Sequence, residues 1–102
     1  MFDGYVDSGA DISLFTRSDC TLLGYKLEEG KEKLIGGVSG TLIRTFIHQV
    51  PIKIGNTKIE AEVAFAEIEN VPRLIGRKTI FEKFQILFDE KKLKVYFILV
   101  EI

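Results

Sequence analysis

Two runs of strict two-residue alternation meet across Gly55-Asn56, and they restrict this chain to a fold built on antiparallel β-structure. In the first run Phe46, His48, Val50, Ile52 and Ile54 share one face. In the second, Ile59, Ala61, Val63 and Phe65 point one way, while Lys58, Glu60, Glu62 and Ala64 point the other. Gly-Asn suits a two-residue hairpin turn because both residues tolerate positive φ. The pattern predicts a hairpin with a half-buried second strand. Pro51 removes one ladder donor, so its strand lies at an edge or Pro51 sits at a non-bonding position.

Shorter signals fill in the rest. Thr16 is a suitable N-cap for a helix over 17–23 that ends at Gly24. Residues 78–84 follow Gly76-Arg77 and put Ile80, Phe81 and Phe84 on one side of a short amphipathic helix. Strand then resumes over 85–89, turns at Glu90-Lys91-Lys92, and runs over 93–100 with apolar residues on both faces. The mixed-sign stretch 28–33 reads as a solvated loop. With 102 residues there is room for one core, so residues 1–102 are expected to form one mainly-β domain with a short helix in its C-terminal half.

Composition excludes several functions. Lys plus Arg number 14 against 15 Asp plus Glu, which gives no electrostatic case for nucleic acid. No apolar run approaches the roughly 18 residues of a membrane-spanning helix. The start lacks the basic and apolar regions of a signal peptide. Cys20 is the single cysteine, so neither an internal disulfide nor a cysteine zinc cluster can form, and it is expected to be a buried small apolar residue. His48 reads as a partly exposed strand residue, not a ligand. Neither metal nor cofactor is expected, and the expected compartment is the reducing cytoplasm, with no membrane partner.

The segment that carries chemistry is Val6-Asp7-Ser8-Gly9-Ala10-Asp11, an apolar strand ending in a carboxylate, a hydroxyl residue and a glycine. Taken alone it is also what an ordinary turn looks like. Two further segments accompany it. Leu34-Ile35-Gly36-Gly37-Val38-Ser39-Gly40-Thr41 is a glycine-rich tip between apolar strands, able to open and close over a cleft. Val71-Pro72-Arg73-Leu74-Ile75-Gly76-Arg77 is a short apolar strand closed by Gly-Arg and followed by the second helix.

These three segments, in this order and spacing, resemble the retropepsin-like aspartic proteases, and the resemblance extends over residues 2–97. It implies an acid-protease barrel with a flap hairpin, working as a homodimer on peptide or protein substrates. Asp7 matches the catalytic aspartate. Ser8 matches the residue that braces the partner loop across the dimer axis, Gly9 the one whose carbonyl meets substrate backbone, and Ala10 the small residue beside it. Asp11 matches an acidic substrate-binding residue that pairs with the arginine of the Gly-Arg element, here Arg77, as structural support. Ile12 stands where some members carry a second Asp, so a polar contact is not expected there. Ile35, Gly36, Gly37 and Val38 match the substrate-covering flap, with Val38 at its tip. Ile12, Leu14, Ile35, Val38 and Ile75 are the candidate apolar walls.

The implied chemistry needs two carboxylates that share one proton, one acting as base on water and the other as acid on the leaving amide. One Asp-Ser-Gly is present, so the second would come from another copy of the chain. Other readings fail on residues. Gly37-Val38-Ser39-Gly40-Thr41 has Thr where a nucleophile elbow needs Gly, and no Gly-Lys-Ser/Thr follows the glycines. The competing class is a retropepsin-fold module that dimerises or binds peptide with little or no hydrolysis. The family pattern also places a strand and hairpin before the catalytic strand, whereas six residues precede Asp7 here. Residues 93–100 are expected to be buried, either against a second copy or as a central strand of the chain's own sheet.

Overall fold

The hairpin predicted around Gly55-Asn56 forms the centre of the structure, a computed structural model that describes residues 4–7, 9–36, 40–89, 91–92 and 94–100. In chain order the elements are β1 (Tyr5–Val6), β2 (Ser13–Phe15), α1 (Arg17–Leu22), a 3-10 turn (Leu27–Glu29), β3 (Lys31–Gly36), β4 (Leu42–Ile54), β5 (Thr57–Ala66), β6 (Leu74–Ile75), α2 (Ile80–Lys83), β7 (Phe84–Asp89) and β8 (Lys94–Leu99). Six strands make one sheet in the order β1-β6-β2-β5-β4-β3, and β7 and β8 pair separately. The architecture is mainly β.

β4 and β5 pair antiparallel from Thr45↔Ala66 to Ile54↔Thr57, and Gly55 takes the positive φ (+61°) that the tight turn requires. β3 covers β4 only over 42–47. Beyond that point the outer edge of β4 has no strand partner among the described residues, which is where Pro51 is tolerated.

β5 departs from the half-buried expectation at its C-terminal end. Ala61, Val63 and Phe65 pack with Phe15, Cys20, Leu27, Phe46 and Val50 on one face. Ala64 and Ala66 are also fully buried, on the other face, beneath Ile12 and Leu14. The reason is that β2 lies parallel against Val63 to Phe65, and the residue leading into it is carried over that second face. Small side chains fit where two layers close on one strand.

α1 follows the sequence reading closely. Thr16 Oγ1 accepts the Asp19 N–H while the Asp19 carboxylate accepts the Thr16 N–H, a reciprocal capping box. Gly24, at φ +86°, ends it. The second helix is shorter than the expected 78–84: α2 is one turn, because Thr79 sits at φ +68° and Phe84 is already extended and paired with Leu99. Residues 31–33, expected in a loop, are strand, since their alternating side chains pair with Thr45, Phe46 and Ile47. Glu32 on that strand bonds Arg44 across it at 3.0 Å.

β8 is not a central strand. It pairs with β7, and Val95, Tyr96, Ile98, Leu99 and Val100 together with Leu87 are between 38 and 51% exposed. Phe97 alone of the described β8 side chains is half-buried, edge-on to Phe84 with centroids 5.9 Å apart. Among the described residues no helix is long and apolar enough to cross a membrane.

Candidate active site

β1 ends at Val6 and delivers Asp7. The strand is only two residues long, yet three backbone bonds fix its exit. Tyr5 N–H donates to Arg73 O at 2.9 Å, Asp7 N–H donates to Ile75 O at 3.0 Å, and Ala10 N–H closes a turn onto Asp7 O at 3.1 Å. Gly9 N–H then donates to Asp7 Oδ1 at 2.8 Å, so the carboxylate is oriented by the loop that follows it. No bond to Asp7 Oδ2 is present among the described residues, and the side chain is partly exposed.

Asp7, Gly9, Ala10, Asp11 and Ile12 open onto one cleft of about 630 Å³. Its other walls are Leu14, residues 33–36 of β3, Ile43 of β4, and Pro72 and Leu74 from the segment around β6. Five of these side chains belong to the second apolar cluster (Ile12, Leu14, Ile35, Ile43 and Leu74), so the cleft is the outer surface of packed core. A carboxylate on the floor of an apolar cleft is a site for a polar bond flanked by apolar groups. Among the described residues no cluster of His, Cys, Asp or Glu could hold a metal ion.

The sequence-predicted residues distribute as follows. Asp7, Gly9, Ala10, Asp11, Ile12, Ile35 and Gly36 all line the cleft. Ser8, Gly37 and Val38 lie outside the described residues. Ile12 is buried, in keeping with an apolar contact. Ile75 is a correction: it lines a separate groove with Val6, Val50 and Ile80, because adjacent residues of β6 face opposite sides. Pro72, Leu74 and Ile43 take that place in the cleft and were not anticipated. A two-residue strand is too short for alternation to show which side is inward.

Asp11 and Arg77 line one shallow depression together with Lys78, Phe81 and Glu82. Among the described residues no ion pair joins the Asp11 and Arg77 side chains. Their loops are joined through backbone, with Arg77 N–H on Ala10 O at 2.9 Å and Lys78 N–H on Asp11 O at 2.7 Å. Gly76 N–H also donates to the buried Ser13 Oγ at 3.0 Å. Main-chain bonds thus join the loop after Asp7 to the Gly76-Arg77 segment.

Comparison with known proteins agrees with this geometry. The family profile described as Retroviral aspartyl protease matches residues 1–87. Among solved structures, the EIAV protease complexed with the inhibitor HBY-793 is 31% identical, covering 72% of this chain and 68% of that one with a TM-score of 0.57. The retroviral protease-like domain of Ddi1 from Leishmania major is 16% identical, covers 96% of this chain and 83% of that one, and has a TM-score of 0.62, a likeness of fold. No curated protein matches the sequence at a significant level.

Proposed function

Because the chain belongs to the retroviral aspartyl protease family, we propose that it is an aspartic endopeptidase in which two copies each contribute Asp7 to one site. The observation that carries this reading is Asp7 itself, held by backbone bonds from both sides and set in an apolar cleft. Residues 1–102 serve as one domain, and a second copy supplies the second carboxylate.

The two Asp7 carboxylates share a proton, since like charges a few ångströms apart do not both ionise readily. The ionised carboxylate takes a proton from water as the water oxygen attacks the scissile carbonyl carbon. The protonated one gives its proton to the carbonyl oxygen, and a tetrahedral diol forms. Proton transfer to the amide nitrogen then breaks the C–N bond, releasing an acid and an amine. By the family resemblance, Ser8, Gly9 and Ala10 support the loop, while Asp11 and residues 36–38 meet the substrate backbone. Ile12, Leu14, Ile35, Ile43, Pro72 and Leu74 favour apolar residues on either side of the cleaved bond.

The second copy docks on the face where β7 and β8 expose their apolar side chains. An exposed apolar strand with a free edge is a surface that a two-fold axis would cover.

The test is cleavage of a peptide library between about pH 3 and 7, the range in which such dyads work, by wild type and Asp7→Asn. Wild-type cleavage, blocked by a pepstatin-type inhibitor and reduced on the order of 10⁴-fold by the substitution, is the expected result. Tight peptide binding without cleavage would replace the protease by a non-hydrolytic peptide-binding or dimerisation module.

A further inference from the structure

Three consecutive residues at the start of α1 clasp the segment that leads into β6. Arg17 Nη1 donates to Glu67 O at 3.2 Å. Ser18 gives its N–H and its hydroxyl to the two Glu69 oxygens, at 3.0 and 2.6 Å. Asp19, only 2% exposed, receives Arg73 in a two-point fork, Nε to Oδ2 at 2.7 Å and Nη2 to Oδ1 at 2.8 Å. The fork fixes direction as well as distance, which a single contact would not.

Arg73 stands at the junction of everything the site depends on. Its carbonyl receives the Tyr5 N–H, and two residues on the Ile75 carbonyl receives the Asp7 N–H. Its neighbours Pro72 and Leu74 are cleft walls. β1 and β6 share two register pairs and β6 meets β2 at one, Leu14↔Leu74, so the ladder itself holds this register weakly. A slip of one residue would turn Leu74 out of the cleft and the Arg73 side chain into it.

We infer that the Asp19–Arg73 pair is a register pin that positions Asp7 and the wall residues Pro72 and Leu74. Buried ion pairs are best attested in this role, since apolar replacements often match or exceed their contribution to stability. The pin acts through the backbone of β6 and touches no substrate. Its role in catalysis rests on the protease reading above; its role in fixing the register does not.

The experiment separates the two. Hydrogen exchange is followed at the Tyr5 and Asp7 amides and at the Ala61, Val63 and Phe65 amides of β5, in wild type, in the apolar pair Asp19→Leu/Arg73→Met, and in Arg73→Lys. Arg73→Lys keeps the charge and loses the fork, and it serves if the apolar pair does not fold. The pin predicts exchange at Tyr5 and Asp7 faster by at least about tenfold with β5 unchanged, as for a local opening. Where wild type cleaves peptides, kcat falls with it in a variant of unaltered melting temperature. Unchanged exchange at Tyr5 and Asp7, or an equal rise at all five amides, overturns the pin. A wild type that does not cleave overturns only the protease reading, and the amides still decide the pin.

Discussion

Gly76 passes so close to Ile12 that a β-carbon in its place would stand 2.5 Å from the Ile12 carbonyl oxygen and 2.9 Å from the Ser13 nitrogen. Both are backbone atoms at the edge of the cleft, and neither can rotate away. Gly76→Ala is therefore expected to destabilise the fold by at least about 3 kcal/mol, the upper end for overpacking. Urea unfolding would show a lower midpoint at similar slope. An unchanged midpoint would mean that the two segments do not meet in this way.

Acid should weaken the chain through Asp19. Burial alone would raise its pKa, but the bonds from Arg73 and Thr16 outweigh this and hold the carboxyl below its ordinary value of 3.8. A folded-state value below the unfolded one contributes stability above about pH 4 that is lost as pH falls through the folded value. Asp19→Asn should cost about 2 kcal/mol at pH 7, less than a wholly buried pair because the Arg73 side chain is 37% exposed. The gap to wild type should narrow as pH falls below about 4 and through the folded-state value. Thermal melts from pH 2 to 7 measure it, and a gap independent of pH would refute the assignment.

Association should fail when charge enters the exposed face of β8. Ile98 is 47% exposed and lies opposite Gln85 on β7, so glutamate there costs the isolated chain little. Ile98→Glu is expected to turn a dimer into folded monomers by sedimentation, and to abolish cleavage with it. A variant that stays dimeric places the interface elsewhere.

Cys20 should be chemically silent. The thiol is 1% exposed, and burial, with the Glu28 charge adding to it, pushes its pKa above the usual thiol value. Labelling by an aromatic disulfide reagent at pH 8 should be at least about 10³-fold slower than in denaturant, because only opening of the core exposes the thiolate. Rapid labelling of the native protein would contradict the packing around α1.

The parts of this molecule that were legible in its sequence are those decided by residues a few positions apart. The β4–β5 hairpin follows from alternation and Gly55, and α1 from Thr16 and Gly24. The cleft residues 7 and 9–12 came through a motif whose turn chemistry is equally local. What could not be read were relations set by topology. Asp19 and Arg73 are 54 residues apart, and nothing near either announces the other. Ile75 and Leu74 are indistinguishable as apolar residues until β2 fixes which one faces the cleft. β8 is apolar on both sides, a pattern shared by strands covered from within the chain and strands left exposed by it.

The two-sided burial at the end of β5 divides the cleft into parts that can drift and parts that cannot. Ala64 and Ala66 support Ile12 and Leu14 from behind, while Val63 and Phe65 of the same strand are locked into the opposite layer. Enlarging either alanine would push the floor outward and strain both layers at once. Leu34 and Pro72 stand on the rim with no second layer behind them among the two clusters. In a lineage acquiring new substrates, change should therefore accumulate at the rim while the floor stays as it is.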